Sequence, residues 1–150
     1  MVDVVSRRRR SEMMSHIHGS DTRPELVVRR ALHKAGFRYR LHQPDLPGRP
    51  DLVLKRYRAA IFVHGCFWHR HRGCRFAYSP KSHSKFWSEK FRRNSARDRR
   101  QFNELANADW RVLVVWECAV RPPADHSKTI KIIARWLNSR ASRAEIVSEE

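Results

Sequence analysis

No apolar run in this chain approaches the roughly 20 residues that a helix needs to cross a bilayer. There is also no internal repeat, which argues against a solenoid or propeller. Acidic residues are scarce: 15 Asp and Glu stand against 32 Lys and Arg, for a formal net charge of +17. Folding does not require such an excess, because like charge destabilises a compact state. It points to a polyanionic partner, most commonly nucleic acid. Cysteine is limited to three residues, an odd count, and two of them lie in a His-rich stretch. That pattern disfavours a disulfide framework and favours metal binding in a reducing compartment. The start of the chain runs from Val4 and Val5 straight into Arg7–Arg10, unlike a secretory leader, so a cytosolic location is expected.

With 150 residues of ordinary hydrophobic content, the chain suits one domain with a real core. Its densest chemistry lies in residues 61–74, Ile-Phe-Val-His-Gly-Cys-Phe-Trp-His-Arg-His-Arg-Gly-Cys. There a short apolar run stops at Gly65, and metal-binding, proton-moving and base-stacking groups follow with little spacer.

The remaining elements are read around that stretch. Residues 1–20 form a basic arm, 21–140 a single domain and 141–150 a frayed tail. Thr22-Arg23-Pro24-Glu25 has capping-box spacing and opens a helix that stops at Gly36. Phe37–Leu41 alternates with period two and reads as a strand. Pro44, Pro47, Gly48 and Pro50 mark a loop, and Asp51–Leu54 is a second strand. Ala59–His64 is apolar almost throughout, as expected for a strand buried on both faces. A long helix follows from about Lys85 to Ala108. Phe91, Ser95, Asp98, Phe102 and Leu105 share one of its faces, and Asn94 lies beside them. Arg92, Arg93, Arg97, Arg99 and Arg100 make a basic face suited to phosphates. Trp110–Trp116 is a fourth strand, and Ile130, Ile133, Ala134 and Leu137 outline a final helix. The expected fold is α/β: a central mixed sheet flanked by helices.

Cys66, His71, Cys74 and Cys118 supply thiolates and an imidazole, the ligands zinc prefers. They would tie the loop after the third strand to the end of the fourth. His69 is the other nearby candidate ligand. Four protein ligands leave no position for water, so such a zinc is structural and hydrolysis would need a second, oxygen-ligated metal. Asp51 is the best-placed carboxylate for magnesium, with a backbone carbonyl near Val63 as a partner in place of a second acid. His64 and His69 flank the Cys66-Phe67-Trp68 turn and titrate near neutrality, so one suits water activation and the other the leaving group. Glu25 either caps its helix or fixes an imidazole tautomer. Asp98, on an apolar stripe, is costly to bury unless it is paired or bound. Phe67, Trp68 and Trp87 either cover the metal or wedge between base steps.

With Thr22–Glu25, Pro50–Val53, Phe62–His69, Phe86–Lys90, Asn94 with Arg97–Arg100, and Trp110–Cys118 in this order, the chain closely resembles the very short patch repair (Vsr) DNA mismatch endonucleases. The resemblance covers roughly residues 11–121. It implies a restriction-endonuclease-like fold and a magnesium-dependent nick beside the T of a T:G mismatch, the product of 5-methylcytosine deamination. By the resemblance, Asp51 and the Val63 carbonyl hold Mg2+, His69 is the general base, His64 assists at the phosphate and Glu25 pairs with His69. Asp98 joins this catalytic group. Cys66, His71, Cys74 and Cys118 hold structural Zn2+. Phe67, Trp68 and Trp87 intercalate, Asn94 and Arg97 contact DNA, and the N-terminal arm helps to clamp it. The implied protein is a monomer on mismatched double-stranded DNA in the bacterial cytoplasm, nucleoid-associated when acting, with other mismatch-repair proteins as further candidate partners. Two departures stand out: Val63 occupies a position where a family member has Thr, and two residues rather than one separate His71 from Cys74. The alternatives are a non-catalytic zinc-containing nucleic-acid binder and a related nuclease of different mismatch or sequence specificity.

Overall fold

The computed structural model describes residues 22–122 and 124–148, so the expected basic arm over 1–20 lies outside the described residues. Helix α1 spans Arg23–Lys34. Thr22 caps it, its hydroxyl accepting the Glu25 N–H at 3.4 Å, and Gly36 ends it in a left-handed conformation (φ 99°). Strands β1 (Arg40–Leu41), β2 (Leu52–Leu54) and β3 (Ala59–His64) follow, then helix α2 (Ser84–Asn107), strand β4 (Arg111–Trp116), helix α3 (His126–Leu137) and strand β5 (Arg143–Ile146). The sheet has the order β1-β2-β3-β4-β5. The first three strands are antiparallel neighbours, whereas β4 runs parallel to both β3 and β5. Helices α2 and α3 make the two crossovers that parallel pairing needs.

Alternation along β3 assigns the two cores. Ala59 and Ile61 pack with Val28 and Leu32 of α1 and with Ile130 and Ile133 of α3. Ala60 and Phe62 pack with Phe102 and Leu105 of α2. Helices therefore cover both faces, which explains the unbroken apolar character of β3 and β4.

Two expectations are corrected. Only Arg40 and Leu41 of the expected strand 37–41 pair with β2. Phe37 and Tyr39 instead pack beside the core, and the Tyr39 hydroxyl donates to the Arg29 carbonyl at 2.6 Å. The expected frayed tail contains a strand, β5. Ile146 is buried there, worth about 2 kcal/mol. Arg111 fixes the approach to it, donating to the carbonyls of Tyr57, Trp136, Leu137 and Ala141 at 2.7–3.2 Å.

Candidate active site and metal centre

Asp51 stands at the start of β2 and is nearly buried. Its Oδ2 accepts the Val63 N–H of β3 at 2.7 Å. Burial is the main force that pushes its carboxyl up to about 8; the Val63 N–H opposes the shift and the Glu25 carboxylate adds to it. Glu25, on α1, is 1 % exposed. Its Oε2 lies 2.9 Å from Nε2 of His42 and 3.1 Å from Nη1 of Arg29. Ligating atoms of Glu25, His42 and Asp51 all lie within 4.8 Å of one another. The expected pairing of Glu25 with His69 is not formed. Glu25 belongs to the helix on one face of the sheet, whereas the ring neighbours of His64 and His69 lie on the other.

That opposite face carries the two histidines. Their rings stack in parallel, 3.7 Å between centroids at 7°. His69 Nδ1 lies 2.6 Å from Oδ2 of Asp98, which α2 presents from its buried side. An imidazole that donates from Nδ1 carries its lone pair on Nε2, the form a general base needs. His64 is buried against Phe102 and Trp116. Burial first, then electrostatic coupling to the neighbouring His69 ring and to Arg97, holds its pKa well below the usual range, so it is neutral at pH 7. A hollow of about 160 Å³ opens here, lined by His64, His69, Asp98, Arg99, Phe102 and Arg143.

The cysteines gather at the ends of β3 and β4, which the parallel register sets side by side, His64 opposite Trp116. Ligating atoms of Cys66, His71, Cys74 and Cys118 lie within 4.8 Å of one another. His71 Nδ1 is 3.6 Å from the Cys66 sulfur and 3.5 Å from that of Cys118. Its ring stacks on Trp116 at 4.3 Å. Arg70 (φ 55°) and Gly73 (φ 71°) take the left-handed turns that fold the loop back. Burial and the neighbouring thiols push the Cys66 thiol up, the situation a bound cation relieves. His69 belongs to the Asp98 cluster rather than this one.

Phe67 and Trp68 pack edge-on, 5.0 Å apart, over Trp87. Trp87 is only 5 % exposed, so in this state it is the base of the aromatic group rather than an outstretched wedge. Asn94 donates to the Trp68 carbonyl at 3.2 Å and so braces the loop. Arg97 is exposed on α2.

Residues 2–75 match the family model described as DNA mismatch endonuclease Vsr. The chain is 50 % identical over 118 residues to the type II nicking enzyme V.XorIIP of Xanthomonas oryzae, covering 79 % of this chain and 86 % of that one. It is 44 % identical over 121 residues to the DNA mismatch endonuclease Vsr of Escherichia coli, covering 81 % and 77 %. With the type II nicking enzyme V.NmeAIP of Neisseria meningitidis the identity is 41 % over 124 residues, covering 83 % and 88 %. The chain belongs to the Vsr DNA mismatch endonuclease family.

A Vsr-family nuclease implies a divalent metal, and the donor chemistry of this chain fits one. Asp51 and Glu25 are two acids buried side by side, and Asp51 holds up to about 8 a proton whose place a cation can take. The Cys/His cluster offers the soft four-ligand set of structural zinc. Sequence reasoning missed His42, which follows two exposed strand residues and carries no motif, and Arg143, which lies in the supposed tail.

Proposed function

We propose that this member of the Vsr family nicks one strand beside the T of a T:G mismatch, the pair left when 5-methylcytosine deaminates, by magnesium-dependent phosphodiester hydrolysis. The observation that carries this reading is the end of β3. Val63 and His64 are consecutive, yet the first binds Asp51 and the second stacks on the His69–Asp98 pair. A non-catalytic zinc module has no use for that arrangement.

In this reading Asp51 and the Val63 carbonyl, with Glu25 beside them, hold Mg2+. The cation would supply positive charge against the phosphate and lower the pKa of the attacking water. His69 takes the proton of the attacking water on Nε2, and Asp98 keeps Nδ1 protonated and stabilises the imidazolium that forms. Neutral His64 fixes the plane of His69 and assists at the phosphate. Phe67 and Trp68, seated on Trp87, stack into the opened base step, which is cheaper at a mismatch. Asn94 and Arg97 belong to the DNA contact, and Arg92, Arg93, Arg99 and Arg100 follow the backbone. Cys66, His71, Cys74 and Cys118 would hold zinc, which would fix the loop carrying His69. The protein acts as a monomer in the bacterial cytoplasm, nucleoid-associated when acting; no helix among the described residues is long and apolar enough to cross a membrane.

Relatives named as type II nicking enzymes favour one second reading, a nickase defined mainly by its sequence context. Incubating T:G, C:G and A:T duplexes with Mg2+ tests the proposal. A strand-specific nick in T:G alone supports it, and no nicking of T:G in any methyltransferase-type context sinks it. Asp98→Asn keeps the shape of the dyad but presents an amide N–H to Nδ1, which forces the proton onto Nε2. Its single-turnover nicking rate is expected to fall about 10²- to 10⁴-fold with duplex affinity unchanged. An unimpaired rate would remove Asp98 from the mechanism.

A further inference from the structure

We propose that His42 is a positioning residue of the catalytic metal site: its ring holds the Glu25 carboxylate against Asp51, so that a divalent cation meets the two acids already paired. This inference rests on the metal role given above to Asp51.

Three observations carry it. First, the register of β1 on β2 sets Arg40 opposite Val53 and Leu41 opposite Leu52, so His42 falls next to Asp51. Its N–H donates to the Asp51 carbonyl at 3.3 Å, one step beyond the paired strand. Second, its Nε2 reaches Oε2 of Glu25 at 2.9 Å, and the acceptor is nearly sealed from solvent while His42 itself is only 18 % exposed. Third, His42 sits in the left-handed region at φ 46°, where a residue with a Cβ is disfavoured. Such a conformation persists when surrounding contacts over-determine it, and here those contacts lead to the two carboxylates.

Arg29 touches the same Glu25 oxygen, but from one turn along the same helix, so that bond holds Glu25 only to α1. His42 links the helix carboxylate to the strand carboxylate. With Nε2 protonated it donates to Glu25, and an outer partner of this kind typically changes metal affinity 10–100-fold when removed.

The test is direct metal binding by the whole 150-residue chain, prepared with zinc. Free Mn2+, standing in for Mg2+, is counted by electron paramagnetic resonance for wild type, His42→Ala, His42→Gln and Asp51→Asn. Melting curves recorded without Mn2+ establish that each variant is folded. His42→Ala is expected to bind Mn2+ about tenfold more weakly. His42→Gln, whose amide keeps an N–H donor towards Glu25, is expected to recover to within about threefold. Folded His42→Ala that binds as tightly as wild type, or folded His42→Gln no better than alanine, overturns the positioning role alone. If Asp51→Asn binds Mn2+ like wild type, the metal assignment itself is wrong and this inference falls with it.

Discussion

Asp51→Ala is expected to abolish strand nicking while duplex binding persists. A catalytic cation contributes several kcal/mol to phosphoryl chemistry. At 1.36 kcal/mol per factor of ten, that is about a thousandfold or more in rate. The basic face of α2, which would supply most of the duplex affinity, is untouched, so electrophoretic binding at fixed salt should change little. A variant that still cuts would show that the metal assignment is wrong. The same site also predicts a stability trade-off. Without Mg2+ the Asp51 carboxyl is held up at about 8, against 3.8 for the free side chain. The folded state therefore binds this proton more tightly than the unfolded chain. The resulting stabilisation is complete below about pH 4 and is lost as pH rises through about 8. Glu25 adds its charge from α1, and His42 faces both acids. Asp51→Asn keeps an acceptor for the Val63 N–H but has no proton to lose. In the zinc-loaded, magnesium-free protein its melting temperature should gain on wild type as pH rises from about 5 to about 9. An unchanged difference across that range would contradict a buried, proton-holding Asp51.

Cys118→Ala is expected to remove zinc and much of the stability while sparing the chemistry of the molecules that remain folded. Binding of structural zinc is worth about 10–16 kcal/mol in small domains, comparable to the whole stability of a typical protein. Of the four proposed ligands Cys118 alone comes from beyond β4, so its loss would also release the loop after β3 from the neighbouring strand end. Even a net loss of about 5 kcal/mol lowers the melting temperature by about 10–20 °C. Elemental analysis should show zinc well below stoichiometric, while the nicking rate per folded molecule falls far less than in Asp51→Ala, since His69 is still held by Asp98 and Cys118 itself moves no proton. A zinc-free Cys118→Ala protein that is fully stable and active would contradict the structural role.

Much of this was legible in the chain. The bounds of β3 are those of its almost wholly apolar run, 59–64, because both faces of that strand are buried and no polar residue comes before His64 at its end. Asp98 stood out as an acid on an apolar stripe, and its partner is His69. The four zinc candidates follow from ligand type and spacing, which leave His69 open beside His71, and those four lie together. What was not legible is tertiary. Strand β5 is four residues long, with Arg143 and Glu145 exposed, so its signal is one buried isoleucine and its cause is the edge offered by β4. The partner of Glu25 depended on which face of the sheet α1 covers, and periodicity assigns a helix its apolar side without saying where that side docks. His42 had no motif because its role comes from register: one step past Leu41 in a short ladder brings it beside Asp51.

The activity proposed for this chain is a metal-dependent, mismatch-directed single-strand cut. The measurement that tests it most directly is sequencing of cut ends from duplexes with randomised flanks around a central T:G, C:G or T:A pair, incubated with Mg2+. The account predicts cuts beside the T of T:G, in that strand alone, concentrated in a narrow flanking context and absent when Mg2+ is chelated. Equal cutting of matched duplexes in the same context, or no cutting of T:G in any context, would contradict it.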